Sequence, residues 1–339
     1  MDSLTHIVVG AALGDTFLGK KIGRKAAWIG AFLKTFPDFD LFYSGLSDPK
    51  RYVLYHRSYT HSFFIELLTA FPLAWIFYML FKKKISYTQW FALTITCLWL
   101  HSLMDWCTNY GTRLLLPFSN QPFSLNSIAI LDLFLTLPIF IMVVVALIYK
   151  NQSVGRLRWI RASLIYTVCF FGMTFVNKAM VQKPLASTLP VPKERFMTNP
   201  NILHNFLWYG VAVSDSMVYM GEYSLLQKDT AVHWQGFKSN RHLLTQCPSP
   251  DARMLEWFSQ GYVLCNQNKD TLEVFCLKFG RSDLATTDIH KTFIFYYQLF
   301  QENGVWKMSS HEPKNEEMDF GEAIQQLYDR TTGQFKYQN

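Results

Sequence analysis

Four segments, at about residues 62–81, 87–106, 128–149 and 159–181, are apolar and long enough to cross a hydrocarbon core of about 30 Å, which takes roughly 20 helical residues. In lipid the backbone must satisfy its own hydrogen bonds, so such segments can only be helices. Two shorter segments precede them, at about 4–18 and 25–36, rich in the Gly and Ala that let helices approach closely. The expectation is a polytopic α-helical membrane domain of about six helices, two of them short, over residues 1–183. Mean hydropathy is only +0.06 although half of the 339 residues are hydrophobic, so a second, more polar part must offset the first. Pro184, Pro190, Pro192 and Pro200 mark 184–201 as a linker. Residues 202–339 then alternate strand-like runs (206–213, 216–225, 232–237, 262–265, 272–279 and 292–300) with helical stretches at 250–259 and 316–328, the pattern of a small α+β domain.

The net charge of +7 comes in short clusters beside the apolar runs: Lys20, Lys21, Arg24 and Lys25; Lys82, Lys83 and Lys84; Lys150, Arg156, Arg158 and Arg161. Basic residues collect on the cytoplasmic side of membrane helices, so this charge reports topology and calls for no nucleic-acid partner. With every cluster cytoplasmic, the helices alternate in direction and the C-terminal domain falls outside, on a protein integral to a bacterial cytoplasmic (inner) membrane. The opening lacks a basic stretch and a cleavage site, so residues 1–6 are expected to be retained. Cys97 and Cys169 read as packing residues, while a disulfide among Cys247, Cys265 and Cys276 is open to an extracytoplasmic domain.

The same orientation, derived from Lys and Arg alone, gathers His6, Asp38, Asp40, His56, His61 and Asp105 at the outer ends of their segments, with His101 one turn deeper. Histidine and carboxylate ligands suit Zn²⁺ and related divalent ions, and ionisable groups beside a bilayer are costly enough to imply a use. His101 and Asp105 are four residues apart, on one helical face, where they can share an ion or simply pair. The stretch from His56 to Ser62 opens a helix and could hold metal and phosphate, or merely cap it with Thr60 or Ser62. Asp38 and Asp40 can bridge metals, leave one carboxylate as a general base, or end a helix as solvated acids.

Asp132 could orient a ligand histidine, and Asp15 is expected to pair with a basic residue near Lys20 and Lys21. The turn at 108–112 could shape a substrate mouth. His204, His233, His242, His290 and His311 lack ligand spacing and read as structural or surface residues, and Trp208, Trp234, Trp257 and Trp306 read as core.

The motifs MDSLTH (1–6), PDFD (37–40), HRSYTHS (56–62) and HSLMDWCTNYGT (101–112) resemble those of the YdjM-like family of inner-membrane metal-dependent hydrolases, over about the first 150 residues. The His-x-x-x-Asp element and the helical scaffold are also similar to zinc-dependent phospholipase C enzymes. The resemblance implies a membrane-embedded metal hydrolase. Metal ligands are then expected from His6, Asp38, Asp40, His56, His61, His101 and Asp105, a general base from Asp38 or Asp40, and an anion contact from Arg57. Zn²⁺ is the first expectation for the metal, with the number of ions open. Location favours a membrane lipid or lipid-linked ester as substrate. The alternatives are a proton or ion relay or transporter, and a non-enzymatic membrane anchor whose C-terminal domain binds a partner.

Overall fold

A computed structural model describes residues 1–44, 48–82, 84–191, 195–214, 216–228, 231–281, 288–294, 296–311 and 320–335. Lys83 of the second basic cluster, Pro192 of the expected linker and positions 316–319 of the last expected helix lie outside them.

The N-terminal region is helical: α1 (Ser3–Ile22), α2 (Lys25–Thr35), a 3-10 turn (Phe36–Phe39), α3 (Asp40–Ser44), α4 (Pro49–Tyr55), a second 3-10 turn (Tyr59–His61), α5 (Phe63–Leu80), α6 (Tyr87–Trp106), α7 (Leu133–Ile148) and α8 (Val154–Ser187). Local chemistry starts these helices. Asp2 accepts from the Thr5 N–H at 2.8 Å to cap α1, and Ser86 caps α6 through the Gln89 N–H. The small residues of the first two helices do what their size permits. A Cβ on Gly14 would lie 2.0 Å from the Ala26 carbonyl oxygen and one on Gly30 2.1 Å from that of Gly10, so the α1 and α2 backbones touch.

Two of these helices, α5 and α8, are long and apolar enough to cross a membrane unaided. The expectation of four such helices is therefore met only in part. Helix α7 has 16 residues, about 24 Å, because Asp132 caps it late, accepting from the Phe134 and Leu135 N–H groups at 3.0 and 3.3 Å. Helix α6 covers 87–106 as expected but carries Gln89, Thr94, His101, Ser102 and Asp105.

The chain divides into two compact units, the first comprising Met1–Leu46, Leu54–Thr174 and Ile202–His204 and the second the remainder. Within the first, Leu18, Leu33, Trp90, Leu93, Cys97, Ile139 and Ile160 are among the buried core residues. Asp15 pairs there with Arg156 on α8, whose Nε lies 3.1 Å from both carboxylate oxygens, and not with a lysine of its own helix end. A residue buried inside the bundle cannot reach the solvated Lys20–Lys21 tip, and Arg156 is itself buried.

The second unit holds two four-stranded antiparallel sheets, ordered β1-β2-β3-β4 and β5-β6-β7-β8. Their strands are β1 (Arg195–Pro200), β2 (Leu207–Val213), β3 (Met217–Ser224), β4 (His233–Lys238), β5 (Val263–Asn268), β6 (Thr271–Cys276), β7 (Tyr296–Glu302) and β8 (Val305–His311). Four further helices accompany them: α9 (Arg241–Gln246), α10 (Pro250–Ser259), α11 (Ile289–Thr292) and α12 (Phe320–Thr332). Val211, Met220, Leu264 and Phe275 share one core between the sheets. Strands β1 and β8 were not expected. The first occupies the stretch read as linker, and the second follows Asn303-Gly304, a pair at positive φ that closes the β7–β8 hairpin. All six cysteines are free thiols, which removes the disulfide considered for Cys247, Cys265 and Cys276, and Cys169 is exposed on α8 where packing was expected.

Candidate metal centre

Helix α6 supplies His101 and Asp105 one turn apart, the turn closing α2 supplies Asp38, and the turn before α5 supplies His61. One donor atom from each of these four residues lies within 4.8 Å of the other three. His61 Nε2 is 3.0 Å from His101 Nε2, 3.6 Å from Asp38 Oδ1 and 3.3 Å from Asp105 Oδ2. His101 Nε2 is 3.4 Å from Asp38 Oδ1 and 3.6 Å from Asp105 Oδ2. A tetrahedral ion with nitrogen and oxygen ligands at about 2.0–2.1 Å sets its donor atoms ~3.3 Å apart, and the five separations that involve His61 or His101 are close to that.

Hydrogen bonding around the rings turns the right atoms inward. His101 Nδ1 is 2.6 Å from the Lys34 carbonyl oxygen, which can only accept, so Nδ1 carries a hydrogen and Nε2 is the atom turned toward the cluster. His61 Nδ1 is 3.0 Å from Thr60 Oγ1 and 3.5 Å from Asp40 Oδ2, which directs its second nitrogen the same way. Two lone pairs 3.0 Å apart repel unless a proton or a cation lies between them. Asp105 Oδ2 adds to this demand. Arg57 Nε sits 3.0 Å from it as an ion pair without hydrogen-bond alignment, leaving that fully buried oxygen without a donor.

The electrostatics agree. Burial alone would lower the pKa of His61, but the carboxylates of Asp105, Asp38 and Asp40 around it raise it to about 10. Burial pushes the Asp38 carboxyl upward, yet His101 and His61 more than offset this and hold it well below the usual carboxylate range. The donor set, two imidazoles and two carboxylates in a pocket that attracts positive charge, fits a divalent ion.

Three other expected ligands stand one remove away. Asp40 accepts from His56 Nδ1 at 3.0 Å, the Arg57 N–H at 2.9 Å and Thr60 Oγ1 at 3.0 Å, so it orients the HRSYTH turn. His56 packs edge-on to Tyr110, and burial lowers its pKa below the ordinary value, which makes it a neutral imidazole at pH 7. His6 stacks on His101 with ring centroids 3.8 Å apart and places Nε2 3.2 Å from Asp105 Oδ1. Arg57, expected to meet an anion, has a positive φ of 54° and turns its guanidinium on the protein, donating to Thr108 Oγ1 at 2.7 Å beside Asp105 and Tyr110. Asp132 orients no ligand histidine; it caps α7.

Sequence reasoning passed over Lys34 and Glu66, both buried, on α2 and α5. Glu66 accepts from Ser102 Oγ at 2.6 Å, and its other oxygen and Lys34 Nζ have no hydrogen-bond partner among the described residues. A charged residue inside an apolar helix was the available signal.

Comparison with known proteins agrees with where the motifs lie. A family model described as YdjM inner membrane protein matches residues 1–181, and with them every residue of the centre. An uncharacterized protein of Bacillus subtilis (strain 168), YfhP, is 30% identical over 164 residues, 46% of this chain and 48% of its own, so the match spans about half of that relative. No solved structure matches.

Proposed function

The chain belongs to the YdjM family of inner membrane proteins, and from that premise we propose that it is a membrane-embedded, metal-dependent hydrolase acting on a lipid or lipid-linked (phospho)ester at the outer face of the cytoplasmic membrane. The observation that carries this reading is the convergence of four donor atoms within 4.8 Å of one another, with the five separations that involve His61 or His101 at 3.0–3.6 Å. Asp38, His61, His101 and Asp105 would hold the ion. When bound, a divalent ion, Zn²⁺ first among them, supplies Lewis acidity and a nucleophile drawn from water at neutral pH. His56, kept neutral by burial and aligned by Asp40, accepts a proton from the attacking group, the role first sought in the carboxylates themselves. Arg57 balances the charge of Asp105 and fixes its position. In the topology that accompanies this reading the six expected helices, α1, α2 and α5 to α8, belong to the membrane domain, α1 and α2 as partners of the longer ones, and residues 202–339 lie outside.

Metal analysis by mass spectrometry on detergent-purified protein tests the reading, with His61→Ala and Asp105→Ala variants shown to stay folded. Near-stoichiometric metal in the wild type and its loss in both variants is the expected result. With metal present, a screen of lipid phosphoesters should give an activity that His56→Ala lowers about 10²–10⁴-fold without removing the ion. Wild-type protein that stays metal-free after incubation with Zn²⁺, Mn²⁺ or Mg²⁺ rules the hydrolase out. A proton or ion relay then takes precedence, a reading favoured by the unpartnered Lys34 Nζ and Glu66 Oε2, and proton flux into proteoliposomes measures it.

A further inference from the structure

Every turn that contributes a ligand also carries an exposed ring or a large apolar side chain. In Phe36–Phe39 and α3 the acids face inward, Asp38 and Asp40 both being buried, while Phe39, Phe42 and Tyr43 face outward, Phe42 at 86% exposure. Tyr59 is exposed between His56 and His61. On the other side of His61, the loop 114–118 is fastened to the start of α5: the Phe63 N–H donates to the Leu114 carbonyl at 3.1 Å and Ser62 Oγ donates to that of Leu116. That loop leaves Leu115 and Phe118 exposed, the latter at 78%.

None of these residues belongs to a long apolar helix, yet both groups run into one. Phe118 meets Phe64 on α5 edge-on at 5.4 Å, and Phe42 continues through Phe39 at 5.8 Å and Phe32 at 5.8 Å to Phe77 on α5 at 6.3 Å. Helix α5 is apolar enough to cross a membrane and exposes Phe64, Leu68, Phe71, Trp75 and Met79, the surface that faces lipid in a membrane protein. The ring of Phe118 is thus continuous with a lipid-facing surface, while the chain from Phe42 reaches α5 at the half-buried Phe77, and both groups border the donor cluster. A site for an amphiphile must leave a place for its tail beside the bilayer, and rings that run into a lipid-facing helix provide one.

We propose that Phe39, Phe42, Tyr43, Tyr59, Leu115 and Phe118 form an apolar collar that seats the hydrocarbon chain of a membrane lipid beside the Asp38, His61, His101 and Asp105 cluster. The collar gives the proposed hydrolase its substrate class and rests on that reading for its catalytic meaning. The polar head lies toward the ligands and the chain stays in the leaflet, so substrate enters sideways from the bilayer.

Site-specific photo-crosslinking tests this. The full-length protein carries p-benzoylphenylalanine in place of Phe42, Phe118, Trp75 or Val305, one at a time, in vesicles of phosphatidylethanolamine and phosphatidylglycerol with tritiated acyl chains. Trp75 reports the lipid-facing helix, and Val305 is an exposed apolar residue of the second unit. Tritium incorporation at positions 42 and 118 within about threefold of that at 75, and roughly tenfold above that at 305, is expected of rings at the membrane boundary. Incorporation no higher than at 305, or adducts with a second copy of the chain in place of lipid, overturns the collar. Metal content separates the two readings: a Phe42→Ser, Phe118→Ser variant keeps its metal if both hold. Lipid labelling in a wild type that binds no metal leaves the collar standing without the hydrolase.

Discussion

His61 is held protonated in the ion-free protein by three carboxylates, and an ion must displace that proton to reach Nε2. Metal uptake should therefore release at least one proton, and affinity should rise up to about tenfold per pH unit from pH 6 toward 9. Calorimetry in two buffers of different ionisation enthalpy measures the release; identical heats would contradict it. The same shift sets a stability trend. The folded pKa, about 10, lies above the unfolded value of ~6.5, so the contribution of His61 is complete below pH 6.5 and is lost as pH rises through 10. Ion-free protein should lose thermal stability across that window, and His61→Gln should flatten the loss. Asp40→Asn keeps the four donors but weakens the acceptor that aligns His56 and His61, so metal affinity should fall about 10–100-fold without vanishing, as competition with a chelator would show. That Asp38, His61, His101 and Asp105 come together was legible in the sequence because their short motifs stand at segment ends. Which of the expected residues bring donor atoms within reach of one another was not, because it depends on which carbonyl or carboxylate faces each ring: the contact between Lys34 and His101 spans 67 positions.

At the level of elements, the contact between α1 and α2 is the most exposed to test. Gly14→Ala brings a methyl onto a backbone carbonyl that no side-chain rotation can move, so it should cost about 1–3 kcal/mol, the usual range for overpacking. Gly172→Ala on α8 meets nothing within 4 Å and should be neutral or stabilising by about 0.5–1 kcal/mol. Thermal melts of both variants in one detergent give the comparison, and equal behaviour would sink the close-packing argument. The buried Asp15–Arg156 pair makes a second case. Arg156→Met alone should cost about 3–5 kcal/mol by stranding the carboxylate, and Asp15→Asn in the same chain should restore much of it. Helix α6 was legible to the residue because apolar length and a serine cap agree; α7 was overestimated because apolar residues before Asp132 are loop. Strand β1 hid among prolines, and β8 is largely polar, although the Asn303-Gly304 turn announced it.

For the molecule as a whole, the chain forms two compact units, one helical and one that holds both sheets. Placing residues 202–339 outside the membrane predicts that alkaline phosphatase fused after Asn339 is active and that the same fusion after Lys150 is not; the reverse would invert the topology. Helix α2 carries a further consequence. It has 11 residues, about 16 Å, roughly half of what a hydrocarbon core requires, and its glycine lies against the backbone of α1. In the proposed topology such a segment has little reason to partition into lipid alone, so the two would be delivered by the insertion machinery as one hairpin. Damage to Gly14 or Gly30 would then show itself during biogenesis, as chains left unassembled and cleared by membrane proteases, before any ion could be bound.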